Sequence, residues 1–197
     1  MRRLIFIFSI SIFIFTSCES ERPSVPRPYS YHRIEFPPRS YHSFNQDYCP
    51  ITFEYPLRSQ INKKKFFFNE DPIHDCWFNL SLEDLDATIY FTYQPIENSN
   101  SFEKLVDDAF TMASKHNPKA NSREESKLKN SDGLEGVLFE IGGPVASPIQ
   151  YYLTDGTNHF IRASLYYNQS SANDSLKIVT DYIKKDLMHI ISTSSFL

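Results

Sequence analysis

The side chains best able to move protons are His159, Asp155 and Arg162, which lie close together late in the chain. A histidine with a carboxylate near it can do acid–base work if a substrate reaches both groups. The plainer reading is that Asp155 sits in a turn and caps backbone amides, while His159 and Arg162 are strand residues making local hydrogen bonds. Elsewhere the chain has no Gly-x-Ser-x-Gly elbow, no His-Glu-x-x-His zinc helix and no glycine-rich phosphate loop. With five glycines in 197 residues, there is little material for such loops. No catalytic activity and no cofactor are therefore expected.

The three cysteines carry a different chemistry. Met1, Arg2 and Arg3 form a positive start, and Leu4 to Phe15 form a short apolar run, which is the layout of a secretory signal. The run is about twelve residues, whereas roughly twenty are needed to cross a bilayer as a helix. Phe15-Thr16-Ser17-Cys18 matches a lipobox, in which the cysteine thiol takes a diacylglyceryl group before cleavage. Cys18 then becomes the first residue of the mature chain. Each buried CH₂ contributes roughly 0.8 kcal/mol, so two or more acyl chains give stable attachment where one is marginal. The competing readings are an ordinary signal peptide with an incidental cysteine, or an uncleaved signal anchor.

Export places the other two cysteines in an oxidising compartment, where an even pair within one domain most simply forms a disulfide. Cys49 and Cys76 are expected to close such a loop. A metal site using both thiols and His74 is the alternative, but it supplies only three soft ligands and lacks a Cys-x-x-Cys pair. No metal is expected.

These residues must be held by a folded domain, and the chain divides accordingly. Residues 1–17 read as the signal peptide, 18–38 as the lipidated cysteine with a tether, and 39–197 as one domain. Pro23, Pro26, Pro28, Pro37 and Pro38 deny the tether the backbone donors that regular structure needs. Tyr29, Tyr31, Ile34 and Phe36 are apolar for a tether, so part of it is expected to lie against the domain.

Within the domain, Ile51 to Tyr55, Cys76 to Leu80 and Ala87 to Tyr93 alternate as strands do. From Phe102 the period changes. Phe102, Leu105, Val106, Ala109, Met112 and Ala113 recur at helical spacing, Asn100 and Glu103 are placed as N-cap and third residue, and Asn117-Pro118 ends the helix. Further strands follow over Asn121 to Leu128, Gly133 to Ile141, Ala146 to Leu153 and His159 to Tyr167, separated by glycine-containing turns. The last two form a hairpin in which Ile149, Tyr151 and Leu153 match Ile161, Ala163 and Leu165. A closing helix begins near Asn173 or Asp174, with Leu176, Val179, Ile183, Leu187 and Ile190 as its buried stripe. This order predicts an α+β fold, an antiparallel β-sheet packed by helices. It resembles the PsbP/Mog1-like domains of several bacterial lipoproteins, a likeness of architecture that gives no function.

Composition bounds the partners. Cleavage removes two arginines and no acid, taking the formal net charge from −4 to −6. An acidic surface without a basic stripe excludes nucleic acid as a partner. Aromatics make up 15% of the chain, enough to furnish a core and contact surfaces together. Trp77 is expected in the core. Tyr166 and Tyr167, adjacent on one strand, must face opposite ways, making at least one a candidate for exposure. The run Lys63, Lys64, Lys65, Phe66, Phe67, Phe68 reads as a loop feeding an edge strand, or else as a docking element for a partner or anionic lipid.

Several separated segments also resemble the GldD family of gliding-motility lipoproteins of the Bacteroidetes. They include Cys49-Pro50-Ile51-Thr52-Phe53-Glu54-Tyr55-Pro56, Cys76-Trp77-Phe78-Asn79, Asp86-Ala87-Thr88-Ile89 and Lys115-His116-Asn117-Pro118-Lys119-Ala120. Gly136-Val137-Leu138-Phe139-Glu140-Ile141 and the run from Tyr152 to Arg162 continue it in the same order. The resemblance implies a component of the gliding machinery and its associated type IX secretion system, with other envelope proteins as partners. It implies a role in assembly or stability and brings no biochemical activity. The expected location is the cell envelope, held by acyl chains on the outer membrane and facing the periplasm. The alternative is a periplasmic lipoprotein that binds a small ligand or cell-wall fragment on its sheet.

Overall fold

The computed structural model describes residues 35–63, 74–168 and 175–197. The chain forms two units, Met1–Glu35 and Phe36–Leu197. Of the first, only residue 35 is described. Cys18, the signal sequence and the tether as far as residue 34 therefore lie outside the described residues, as does most of the Lys63 to Phe68 run.

The second unit is built from two antiparallel sheets. Strands β1 (Tyr41–Asn45), β2 (Ile51–Pro56) and β10 (Ser195–Phe196) make a small sheet in the order β1-β2-β10. The large sheet has seven strands in the order β3-β4-β5-β9-β8-β7-β6. They are β3 (Gln60–Asn62), β4 (Trp77–Leu82), β5 (Ala87–Pro95), β6 (Ser122–Lys129), β7 (Glu135–Gly142), β8 (Ile149–Thr154) and β9 (His159–Tyr167). Helix α1 (Ser99–Ser114) follows β5, and helix α2 (Ser175–Thr193) closes the unit ahead of β10. This is an α+β fold, an antiparallel sheet packed by helices. Among the described residues no helix is long and apolar enough to cross a membrane.

The hairpin of β8 and β9 has the expected register, with Ile149 opposite Leu165, Tyr151 opposite Ala163 and Leu153 opposite Ile161. Gly156, at φ +74°, makes its turn in a conformation that costs a residue with a Cβ. Three short strands escape the sequence pattern. In β1 only Phe44 is buried, so no alternation marks it, and β3 and β10 span three and two residues.

The start of α1 differs from expectation. Asn98, not Asn100, is the N-cap: its side chain accepts from the Ser101 backbone N–H, while the Ser101 hydroxyl receives the Asn98 N–H in a capping box. Serine supplies the return contact that was assigned to Glu103. Met112 is 40% exposed rather than buried, and Phe110 takes its place against the edge of the Phe139 ring. Lys115 caps the other end, and Pro118 opens a short 3-10 turn, Asn117–Lys119.

The two faces of the large sheet are covered differently. One face packs on α2 and the small sheet, burying Phe78, Leu80, Ile89, Phe91, Tyr151 and Leu153 against Val179, Ile183, Leu187 and Ile190. Phe44, Phe53, Phe78 and Phe91 stack at its centre, the closest pair having centroids 4.5 Å apart. The other face carries α1, whose Leu105, Ala109 and Ala113 meet Phe139, Ile141, Tyr152 and Phe160. Each large side chain buried this way contributes roughly 1.5 to 3 kcal/mol.

Candidate functional site

The densest charged constellation lies where the polypeptide enters the folded unit. Asp186 projects from α2 and is 1% exposed. It is held by three groups from the start of the domain. Arg39 donates through Nε to Oδ1 at 3.0 Å, the Tyr41 hydroxyl donates to the same oxygen at 3.0 Å, and Arg58 donates to Oδ2 at 2.7 Å. Both guanidinium groups also lie over the Tyr182 ring, at 4.2 and 4.5 Å from its centre. Phe36 stacks on that ring at 4.0 Å, and the Tyr182 hydroxyl donates to the Pro37 carbonyl at 3.0 Å. The segment from Phe36 to Tyr41 is thereby fastened along α2.

The same constellation continues into the small sheet. Tyr41 stacks on His189, and His189 Nε2 lies 2.7 Å from Glu54 Oε2. Burial, followed by the charge of Asp186, pushes the Tyr41 phenol up to about 12, so it remains a proton donor throughout the physiological range. With two guanidinium groups and a phenol donating to its two oxygens, this carboxylate holds distant backbone segments in place.

Sequence reasoning missed this centre, although a signal existed. Asp186 falls three residues after Ile183 and four before Ile190, on the apolar side of the helix, where an acid requires a buried cation. The cations lie about 130 to 150 positions away, at separations of 147 for Arg39 and 128 for Arg58, beyond the reach of any local pattern.

The residues singled out for acid–base work are taken apart. Asp155 Oδ1 accepts the backbone N–H groups of Thr157, Asn158 and His159, each at 2.9 to 3.0 Å. Burial pushes its pKa up, but the hydrogen bonds from the three amides pull it further down, leaving a carboxylate below its ordinary value. His159 meets the Tyr93 hydroxyl at Nδ1, 2.7 Å away, and stacks on Phe196. Arg162 projects from the opposite face of β9, because a separation of three residues along a strand reverses the side.

Cys49 and Cys76 are joined as a disulfide with Cα atoms 4.7 Å apart, linking the loop before β2 to the residue ahead of β4 and so the two sheets to each other. His74 Nδ1 accepts the Cys76 backbone N–H at 3.0 Å. Trp77 is 9% exposed, and its indole N–H donates to the Tyr93 carbonyl at 2.8 Å. Lys63, the described residue of the Lys63 to Phe68 run, lies 4.3 Å above the Tyr48 ring and 3.5 Å from Asp75. Lys64, Lys65, Phe66, Phe67 and Phe68 lie outside the described residues. Neither Tyr166 nor Tyr167 is exposed: the Tyr167 hydroxyl pairs with Thr180 of α2, and Tyr166 packs edge-on against Tyr90.

No curated protein matches the chain. Among solved structures, it is similar to the solution structure of cyanobacterial PsbP (CyanoP) from Synechocystis sp. PCC 6803, at 11% identity and a TM-score of 0.46, over 82% of this chain and 95% of that one. The family model described as gliding motility lipoprotein GldD matches residues 21–196 of the 197. The chain belongs to the GldD family of gliding motility lipoproteins.

Proposed function

We propose that this chain is a lipid-anchored, non-catalytic component of the gliding apparatus and of the type IX secretion machinery associated with it, acting in assembly or stability through protein–protein contacts. Acyl chains on Cys18 hold it on the periplasmic side of the outer membrane, and residues 18 to 35 set its reach. The observation that carries the reading is the occupation of its best proton-moving groups. Asp155 is committed to three amides, His159 to Tyr93 and Phe196, and Asp186 to two arginines. Grooves flank the docked segment Pro37–Arg39, bordered by Ile178 and Leu57, which are 54% and 50% exposed and available to a partner.

Crosslinking in living cells, followed by gentle solubilisation and affinity capture of the lipidated chain, tests this proposal. Motility and secretion-system envelope proteins are the expected captives. A chain recovered alone, or intact gliding and secretion after its deletion, rejects the role. The anchor has its own check: Cys18→Ser should abolish acyl labelling, and labelling that persists in this variant rejects it.

A further inference from the structure

The α1-side face of the large sheet carries a polar row where a sheet buried on both faces ordinarily has apolar side chains. Asn79, Tyr90, Ser164 and Gln150 stand opposite one another across β4, β5, β9 and β8. Asn79, Ser164 and Gln150 are 2%, 4% and 1% exposed. Arg162 lies one pleat along β9 on this same face, and its guanidinium donates to Gln150 Oε1 at 2.6 Å. That contact uses one of five N–H donors. Among the described residues no carboxylate pairs with Arg162, in contrast to Arg39 and Arg58 at Asp186.

The second observation is the other end of the same amide. With Oε1 turned to Arg162, Gln150 Nε2 is fixed as a donor, and this buried nitrogen has no acceptor among the described residues. Buried donors without partners are rare in native folds, and a water or an ion is among the groups that satisfy one. Nε2 shares its carbon with Oε1, so this donor lies beside the guanidinium.

Nearby groups add to the same balance. His116 packs edge-on against Tyr166, and burial, followed by the charge of Arg162, lowers its pKa. Burial also lowers the pKa of Arg162, with the Tyr166 phenol acting in the opposite sense. Among the described residues, then, a guanidinium and an unpaired amide N–H meet here with no carboxylate paired to either. Arg162 itself is half-buried, which leaves a route from solvent.

We propose that Arg162 and Gln150 form a binding site for a small oxyanion, with the guanidinium and the Gln150 side-chain N–H donating to its oxygens. Carboxylate and phosphate share the required geometry, since both present adjacent oxygens to a planar guanidinium fork. This site is separate from the protein–protein role proposed above and stands or falls without it.

The test uses the full lipidated chain in detergent, titrated with sodium phosphate and separately with sodium acetate, sodium chloride holding ionic strength constant. The Gln150 side-chain amide and Arg162 Nε–H resonances should shift saturably with one or both anions. The salt that saturates at the lower concentration identifies phosphate or carboxylate as the preferred class. The melting temperature should rise by several degrees with that anion. Arg162→Gln should remove the rise, and Arg162→Lys should keep part of it. Unmoved resonances in the wild-type chain with both salts overturn the proposal, whether or not the variants fold. So does an Arg162→Gln protein whose melting temperature still rises as the wild type's does.

Discussion

The two faces of the large sheet each bury charge, but they do so on different terms. On the α2 side, Asp186 is surrounded by Arg39, Arg58, Tyr41 and the Tyr182 ring, so every strong group has a partner. On the α1 side, among the described residues, Arg162 donates to an amide oxygen and pairs with no carboxylate, and that amide's nitrogen has no acceptor. A partnered buried charge fixes the geometry of the segments that carry it, because breaking the pair strands a charge away from water. A cation held by one neutral hydrogen bond ties its segments together less firmly, and its removal costs the fold less than breaking a buried ion pair. The contrast separates a structural polar centre from one suited to receiving something.

The largest effect should come from the covalent link on the α2 side. Replacing Cys49 and Cys76 with alanine releases a loop with a sequence separation of 27, and the loss expected on the chain-entropy model is about 3 to 4 kcal/mol. Denaturant unfolding of the exported protein measures it. Asp186→Ala comes next, at about 3 kcal/mol, because Arg39 and Arg58 retain partial access to water. Limited proteolysis should then cut near Pro38, since the entry segment loses its fastening. An Asp186→Ala protein as stable as wild type would erase the distinction between the two faces.

Two variants sharpen the contrast. Asp155→Ala should lose about 1 kcal/mol through its orphaned turn amides, whereas Asp155→Asn keeps an acceptor and most of that stability. Because the folded carboxylate lies below its ordinary pKa, its contribution is present above the unfolded value and fades as pH falls through the folded one. Arg162→Met should cost about 1 to 2 kcal/mol, less than Asp186→Ala, since it breaks one hydrogen bond to Gln150 and no ion pair. A loss equal to that of Asp186→Ala would make Arg162 a structural charge after all.

The smallest expected effect is a pH response at His116. Its pKa is lowered in the folded state by burial and then by Arg162, so the unfolded chain binds the proton more readily. Stability should accordingly fall as pH drops below the ordinary imidazole value of 6.5. His116→Gln should flatten that part of the melting-temperature profile.

Local pattern carried the reading of the fold a long way. The alternation in β8 and β9 determined their faces, and the turn at Asp155 to Asn158 set their register, so that hairpin was legible residue by residue. The helical stripe of α2 was equally plain from Val179 to Ile190. What escaped depended on partners distant in the chain. β1 and β10 exist because β2 lies between them, and Asp186 is tolerable only because Arg39 and Arg58 return to it. The α1 cap was displaced by two residues because serine can close a capping box as well as glutamate does.

Strand β6 forms one outer edge of the seven-stranded sheet and reads Ser-Arg-Glu-Glu-Ser-Lys-Leu-Lys. For a protein whose copies are confined to the plane of a membrane, sideways collisions are frequent, and an unprotected edge eight residues long would invite strand-to-strand polymerisation. The five charged side chains of β6 (Arg123, Glu124, Glu125, Lys127 and Lys129) impose a desolvation cost on any such encounter. Such a strand is a poor template for a neighbouring molecule's edge.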